Sequence, residues 1–264
     1  VTNQVWPEIP ELAAVYDTEC AGRSDHDFYL EIASELDAAT VIDVGCGTGV
    51  FSVDVARKGR RSIGIDPARP MLDIARNRPG GDLVAWIEGT AADGPVGECD
   101  LVIMMGHVAQ YFVDDAQWTS TLQAIHRLLR PGGHLAFEAR NPAVDWARLW
   151  TKVNSRQTLA HPEGGTFESW VQVVDKVGSP DSYQMTHEVH AVLPDGRHLW
   201  AAETLRFRSL VELRSNLHDA GFAIEHLWGD WDRSPVTESN PEFIFVAQRC
   251  EADRAGEEQG GVDA

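Results

Sequence analysis

The chain has 264 residues, 43% of them hydrophobic, and a formal charge of −19 from 41 acidic and 22 basic residues. That length and apolar content suit one large globular domain with a real core, alone or carrying an insertion. The acid excess argues against a nucleic-acid partner, which needs Lys and Arg concentrated on one surface.

The arginines clustered between residues 57 and 78 read as a solvated helix face. No uninterrupted apolar stretch approaches a membrane span, and VTNQVWPEIPE lacks the basic-then-apolar layout of a signal peptide. The expectation is a cytoplasmic protein with no membrane partner. Cys20, Cys46, Cys99 and Cys250 show no CxxC spacing, so neither a metal site nor a disulfide framework is expected.

Residues 1–40 carry helical spacing in Leu12, Val15 and Tyr16 and again in Phe28, Leu30, Ile32, Ala33 and Leu36, with polar CAGRSDHD between them. They predict an N-terminal helical cap. Strands and helices then alternate: VIDV at 41–44, a helix to about Lys58, RSIGID at 61–66, a helix PMLDIARNR at 70–78, LVAWIEG at 83–89 and CDLVIMMG at 99–106. A helix through WTSTLQAIHRLLR follows, stopped by Pro131, Gly132 and Gly133, and then HLAFEAR at 134–140. This alternation predicts a parallel sheet covered on both faces over 41–153. From 154 to 208 the period changes to two, with turns at GSPDS and PDG, and predicts an antiparallel insertion of about three strands. A helix closed by Gly221 and the strands FAIEHLWG and EFIFVAQR, within 209–249, complete the core, and the polar, Gly-rich 250–264 predicts a disordered tail.

The chemistry concentrates at VIDVGCGTGV. A buried strand, a turn with Gly45, Gly47 and Gly49, and an apolar helix let a ligand lie against bare backbone at a helix N-terminus. A dinucleotide fingerprint would place its third glycine at 50, where Val50 stands. Asp43, two residues before the first glycine, suits a cation and repels a pyrophosphate. These residues favour S-adenosylmethionine, which carries an ammonium and a sulfonium, over a nicotinamide dinucleotide. Asp66 ends the next strand, where an acid can accept both ribose hydroxyls of either nucleoside.

VIDVGCGTG, IGIDPARPMLDIAR, WIEGTAAD, CDLVIMMGHVAQYF and LLRPGGHLAFEARNP, taken in order, resemble the signature segments of class I S-adenosylmethionine-dependent methyltransferases. The resemblance covers about residues 12–142 and the C-terminal strands. It implies a doubly wound, Rossmann-like, seven-stranded sheet with S-adenosylmethionine as cofactor. It also implies roles: Asp43 and Gly45 at the methionine end, Gly47 and Gly49 beneath it, Asp66 on the ribose, and Met71 on the adenine face. Gly89, Thr90 and Ala91 would border the adenine edge, and Met105, Gly106 and His107 the sulfonium. Many family members place an acid after the third strand. Here Thr90 and Ala91 stand there and Asp93 lies further on, so Thr90 either offers its hydroxyl or caps a turn.

A hydroxyl acceptor benefits from a general base, whereas an amine needs only to arrive neutral. His107, after the fourth strand, is the first candidate base, with Tyr16, Tyr111, Glu138 and Arg140 behind it. The alternative for His107 is a polar residue with no chemical duty, and for Glu138 a buried acid paired with Arg140. The insertion resembles the lid of small-molecule methyltransferases, including sugar N-methyltransferases of antibiotic pathways, so Trp170, His187 or Trp200 would face the acceptor. The expected function is methyl transfer to N or O of a small molecule, with secondary metabolism as its setting and homo-oligomerisation left open. A non-catalytic S-adenosylmethionine-binding protein and a nicotinamide-dependent oxidoreductase are the alternatives.

Overall fold

The computed structural model describes residues 6–22 and 24–250; all but Cys250 of the expected disordered tail lie outside them. Helices α1 (Pro10–Glu19) and α2 (Ser24–Glu35) come first, so SDHD of the expected loop already belongs to a helix. The core then runs β1 (Thr40–Val44), α3 (Val50–Arg57), β2 (Arg61–Asp66), α4 (Arg69–Asn77), β3 (Ala85–Glu88), β4 (Cys99–Met104), α5 (Asp115–Leu128) and β5 (Leu129–Arg140). Two short helices, α6 (Trp146–Leu149) and α7 (Lys152–Ser155), lead to an antiparallel sheet of β6 (Gln157–Ala160), β7 (Thr166–Ser179), β8 (Ser182–Val192) and β9 (His198–Phe207). The chain returns through α8 (Leu210–Asp219) to β10 (Phe222–Trp228) and β11 (Glu242–Arg249).

The main sheet has seven strands in the order β10-β11-β5-β4-β1-β2-β3. Strands β3, β2, β1, β4 and β5 are parallel, and β11 lies antiparallel between β5 and β10. The period-two geometry sends neighbouring side chains to opposite faces. Ile42 joins Val102, Phe137 and Phe245 under α5 and α8, while Val41 joins Leu101, Ile103 and Ile244 under Phe28, Tyr29 and Ile32 of α2. Both faces are covered, which explains why these strands read as continuous apolar runs. The doubly wound class expected from the sequence is the observed one.

Three local expectations change. Strand β5 begins at Leu129, before the Pro-Gly-Gly, because Cys99 pairs with Leu129 and a register irregularity absorbs the turn. Strand β3 is shorter than 83–89, since 81–83 form a 3₁₀ turn. The insertion has four strands, the extra one being the short β6. On its inner face Val171, Val189 and Ala201 align and pack with Leu12 and Val15 of α1. Two residues along, Val173, His187 and Glu203 share that face. Trp170, His190 and Trp200 form the adjacent row and so look the other way. Trp170 and Trp200 therefore do not face the core, and of the three expected lid side chains only His187 does.

Candidate active site

The glycine turn follows β1, and its first two amides, from Gly45 and Cys46, donate to the Ile65 carbonyl of β2. Gly47 and Gly49 have φ of +53° and +76°, a region that L side chains rarely adopt. Their surroundings differ. A Cβ on Gly49 would lie 2.3 Å from Trp86 and 2.9 Å from Ala75, so this glycine lets α3 pack against the β2–β3 side. A Cβ on Gly47 would meet nothing nearer than the Met71 methyl at 3.6 Å. Gly47 borders open space: a cleft of about 320 Å³ lined by the turn, Met105, and Tyr16, Asp17 and Asp25 of the two N-terminal helices.

Asp66 sits at the end of β2, 7% exposed. Its Oδ2 accepts the Gly47 N–H and its Oδ1 the Ala68 N–H, both at 2.8 Å. Burial raises its pKa, and those two amides act against the rise. A carboxylate offers about four lone-pair directions. Two are taken and two remain, which is what a vicinal diol needs. Asp43 lies deeper, 2% exposed, with Oδ2 accepting the Ser52 hydroxyl at 2.7 Å. Burial pushes its carboxyl up to about 7, and the nearby charge of Asp66 pushes in the same direction. Two buried acids around one turn form a place that a cation stabilises. Met71 packs with Ala13 and Ala68 while its methyl points toward Gly47. The open cradle at Gly47, the spare lone pairs of Asp66 and this paired acidity fit S-adenosylmethionine, and they would be unfavourable around a pyrophosphate.

After β3, Thr90 caps the 3₁₀ turn 91–93. Its hydroxyl accepts the Ala92 N–H, and Asp93 accepts the Thr90 N–H at 2.8 Å. Gly89 lies against Asp93, and Ala91 is buried. Asp93 therefore turns back onto its own backbone, and Thr90 serves the turn.

After β4, Gly106 and His107 are both left-handed, with φ of +82° and +63°. Such a backbone costs a non-glycine residue about 1–2 kcal/mol. Two glutamates hold it. The His107 amide donates to Glu138 Oε1 at 2.6 Å, and its Nε2 lies 3.0 and 3.1 Å from the two oxygens of Glu242. Glu138, fully buried, also accepts the Tyr29 hydroxyl at 2.5 Å. Burial raises the Glu138 pKa, and His107 and Tyr29 counter the rise. The bond between Arg140 and Glu138 weighed above does not form among these contacts: Arg140 binds Gln110 Oε1 at 3.0 Å and lies over the rings of Trp146 and Trp150. Tyr16 packs beside Met71 and lines the cleft.

The sequence reading missed Glu242, Tyr29 and Asp17. Asp17 accepts the Thr48 hydroxyl at 2.5 Å and pairs with Arg78 at 2.6 Å, fastening α1 to the glycine turn. Glu242 carried a signal, an acid opening the otherwise apolar strand EFIFVA.

The fold is of the doubly wound class, its glycine turn and Asp66 placed as in a nucleoside site, and comparison with known proteins specifies it. Residues 41–133 match the methyltransferase domain family. The cypemycin N-terminal methyltransferase of a Streptomyces species is 27% identical over 218 residues, 81% of this chain and 84% of that protein. A ubiquinone biosynthesis O-methyltransferase of Acinetobacter baylyi is 34% identical over 120 residues, and the chain spans only about half (49%) of its length. Among solved structures, the CcbJ methyltransferase of Streptomyces caelestis superposes with a TM-score of 0.71 at 20% identity, covering 95% of this chain and 100% of that one. A sugar N-methyltransferase from Streptoalloteichus gives 0.70 at 19% identity, covering 95% and 96%. Residues 41–133 are thus a methyltransferase domain, and the fold around them is that of solved methyltransferases. The matched domain is that of methyltransferases, not of nicotinamide-dependent oxidoreductases. Among the described residues no helix is long and apolar enough to cross a membrane.

Proposed function

We propose that this enzyme methylates a nitrogen atom of a small-molecule acceptor in secondary metabolism. The cofactor brings an already activated methyl group on a sulfonium, so the protein's task is to align an acceptor lone pair with it. Alignment of this kind is worth effective molarities on the order of 10⁵ M. Asp66 would hold the ribose, Met71 the adenine face, and Gly89, Thr90 and Ala91 its edge. Asp43, Gly45, Gly47 and Gly49 would form the methionine end, with Met105, Gly106 and His107 walling the methyl group and Tyr16 closing it from α1.

The carrying observation is the engagement of His107. An ionised carboxylate only accepts, so the Nε2 held by Glu242 carries the ring proton, and the lone-pair nitrogen Nδ1 lies 3.9 Å from the buried Glu138. We assign His107 the task of shaping the methyl site, with Tyr16 the remaining candidate to touch the acceptor. An amine needs no base at the moment of transfer; a hydroxyl does. In support, one relative is named for N-terminal methylation, and structural neighbours are described as a sugar N-methyltransferase and an amino pentose methyltransferase. The four cysteines form no disulfide among the described residues, and the proposal sets the reaction in the cytoplasm.

The test is release of S-adenosylhomocysteine in the presence of paired acceptors, amino sugars against their hydroxyl counterparts and free against acetylated peptide N-termini. The methylated atom is then located by mass spectrometry. Turnover with amines alone is expected. Turnover confined to hydroxyl acceptors overturns the reading.

A further inference from the structure

The inner face of the lid carries polar groups that the cofactor site does not use. Glu203 on β9 is 5% exposed. Its Oε1 accepts the Trp6 N–H and its Oε2 the Tyr111 hydroxyl, both at 3.1 Å. Among the described residues the one basic side chain within ion-pair reach is His187, with Nε2 at 3.8 Å. That imidazole is neutral at ordinary pH, because burial and the charge of Arg140 push its pKa down to about 4. Burial raises the Glu203 pKa, and the charge of Glu19 adds to the rise. Glu19, at the C-terminal end of α1, accepts the hydroxyl of the buried Ser169 on the same lid face.

A buried carboxylate beside another acid and without a permanent cation is costly unless a cation reaches it. A second, independent feature lies against it. His187 is 5% exposed, and its Nδ1 has no hydrogen-bond partner. Buried polar atoms left unpaired in this way mark a place where an external partner fits. Tyr111 gives access, since it is 44% exposed while its hydroxyl reaches inward to Glu203. The position is apt as well: Tyr111 follows the turn after β4 that carries His107.

We propose that Glu203, His187 and Tyr111 form the acceptor subsite, in which Glu203 takes the ammonium of an amine acceptor and receives the proton that leaves it before its lone pair can attack, and His187 takes a neighbouring N–H or O–H. Resting on the amine reading above, this assigns acceptor choice to β8 and β9 of the lid. A neutral acceptor would leave Glu203 without its cation, so the subsite discriminates by charge before any methyl group moves.

Benzylammonium serves as a probe because it joins a cation to a ring that suits the aromatic surroundings. The full chain is saturated with S-adenosylhomocysteine and titrated with benzylammonium and with benzyl alcohol, followed by calorimetry and by NMR shifts. Benzylammonium is expected to bind and to perturb Tyr111 and His187, while benzyl alcohol binds at least tenfold more weakly. Glu203→Gln, which keeps acceptors for Trp6 and Tyr111, should weaken benzylammonium at least tenfold. Glu188→Gln, one strand position from His187 and on the outer face, should leave it unchanged. Absent binding, equal binding of the alcohol, or shifts confined to other residues of the wild-type protein overturns the subsite without using any variant. Failure of S-adenosylhomocysteine itself to bind would instead overturn the methyltransferase reading.

Discussion

Replacing Asp43 by Asn separates the stability of this fold from its use. Burial lifts the Asp43 carboxyl from 3.8 to about 7. The native chain therefore keeps a proton that the unfolded chain has already released. Stability is lost as pH rises from about 4 to about 7 and is level above that. The full shift is worth about 4 kcal/mol, and the part falling between pH 5 and pH 8 is about 2–3 kcal/mol. Asn cannot ionise, yet it still offers an oxygen to the Ser52 hydroxyl. In urea unfolding the advantage of Asp43→Asn over wild type should thus grow by about 2–3 kcal/mol between pH 5 and pH 8. The same variant should bind S-adenosylhomocysteine at least tenfold more weakly, a loss of about 1.4 kcal/mol or more, because the charge we assign to the ligand ammonium is gone. An advantage equal at both pH values, or one that shrinks with pH, refutes the buried-charge account.

Asp66→Ala should cost about 1.5–3 kcal/mol of affinity for S-adenosylhomocysteine, the scale of hydrogen bonds to a charged group. Unchanged calorimetric affinity would mean that the ribose is held elsewhere. Gly47→Ala and Gly49→Ala should diverge although both are left-handed. The first should fold with a loss of about 1–2 kcal/mol and bind cofactor poorly, whereas the second collides with Trp86 and should fail to fold; equal melting temperatures would contradict this. His107→Ala should change turnover by less than about threefold at saturating cofactor, given an amine acceptor. A loss near a hundredfold that added imidazole restores would make His107 a base instead.

The alternation of strands, the glycine turn and Asp66 were legible because their signals are local: a period of two, a run of glycines, an acid at a strand end. Strand β6 escaped because QTLA is short, mostly exposed and at a sheet edge, where no buried face imposes a pattern. The Pro-Gly-Gly before residue 134 read as a stop, yet pairing to β4 carries the strand through it. Roles that depend on distant partners had no local trace. Tyr29 meets Glu138 across 109 residues and His107 meets Glu242 across 135. Trp170 and Trp200 were read as acceptor contacts, when the odd–even alternation of β8 and β9 already separated them from His187. Composition named the residues, and the register decides which face each one serves.

The place of β11 bears on how the enzyme comes to life. This strand is inserted between β5 and β10, and its first residue grips His107. A nascent chain that has made everything up to residue 240 has the glycine turn and Asp66, but its sheet has an open edge along β5 and its His107 lacks Glu242. Closing that gap demands pairing across more than a hundred residues, which is slow relative to local helix formation. An unpaired interior edge is also what aggregating chains and chaperones recognise. Completion of the sheet and fixing of the His107 turn therefore arrive in the same event.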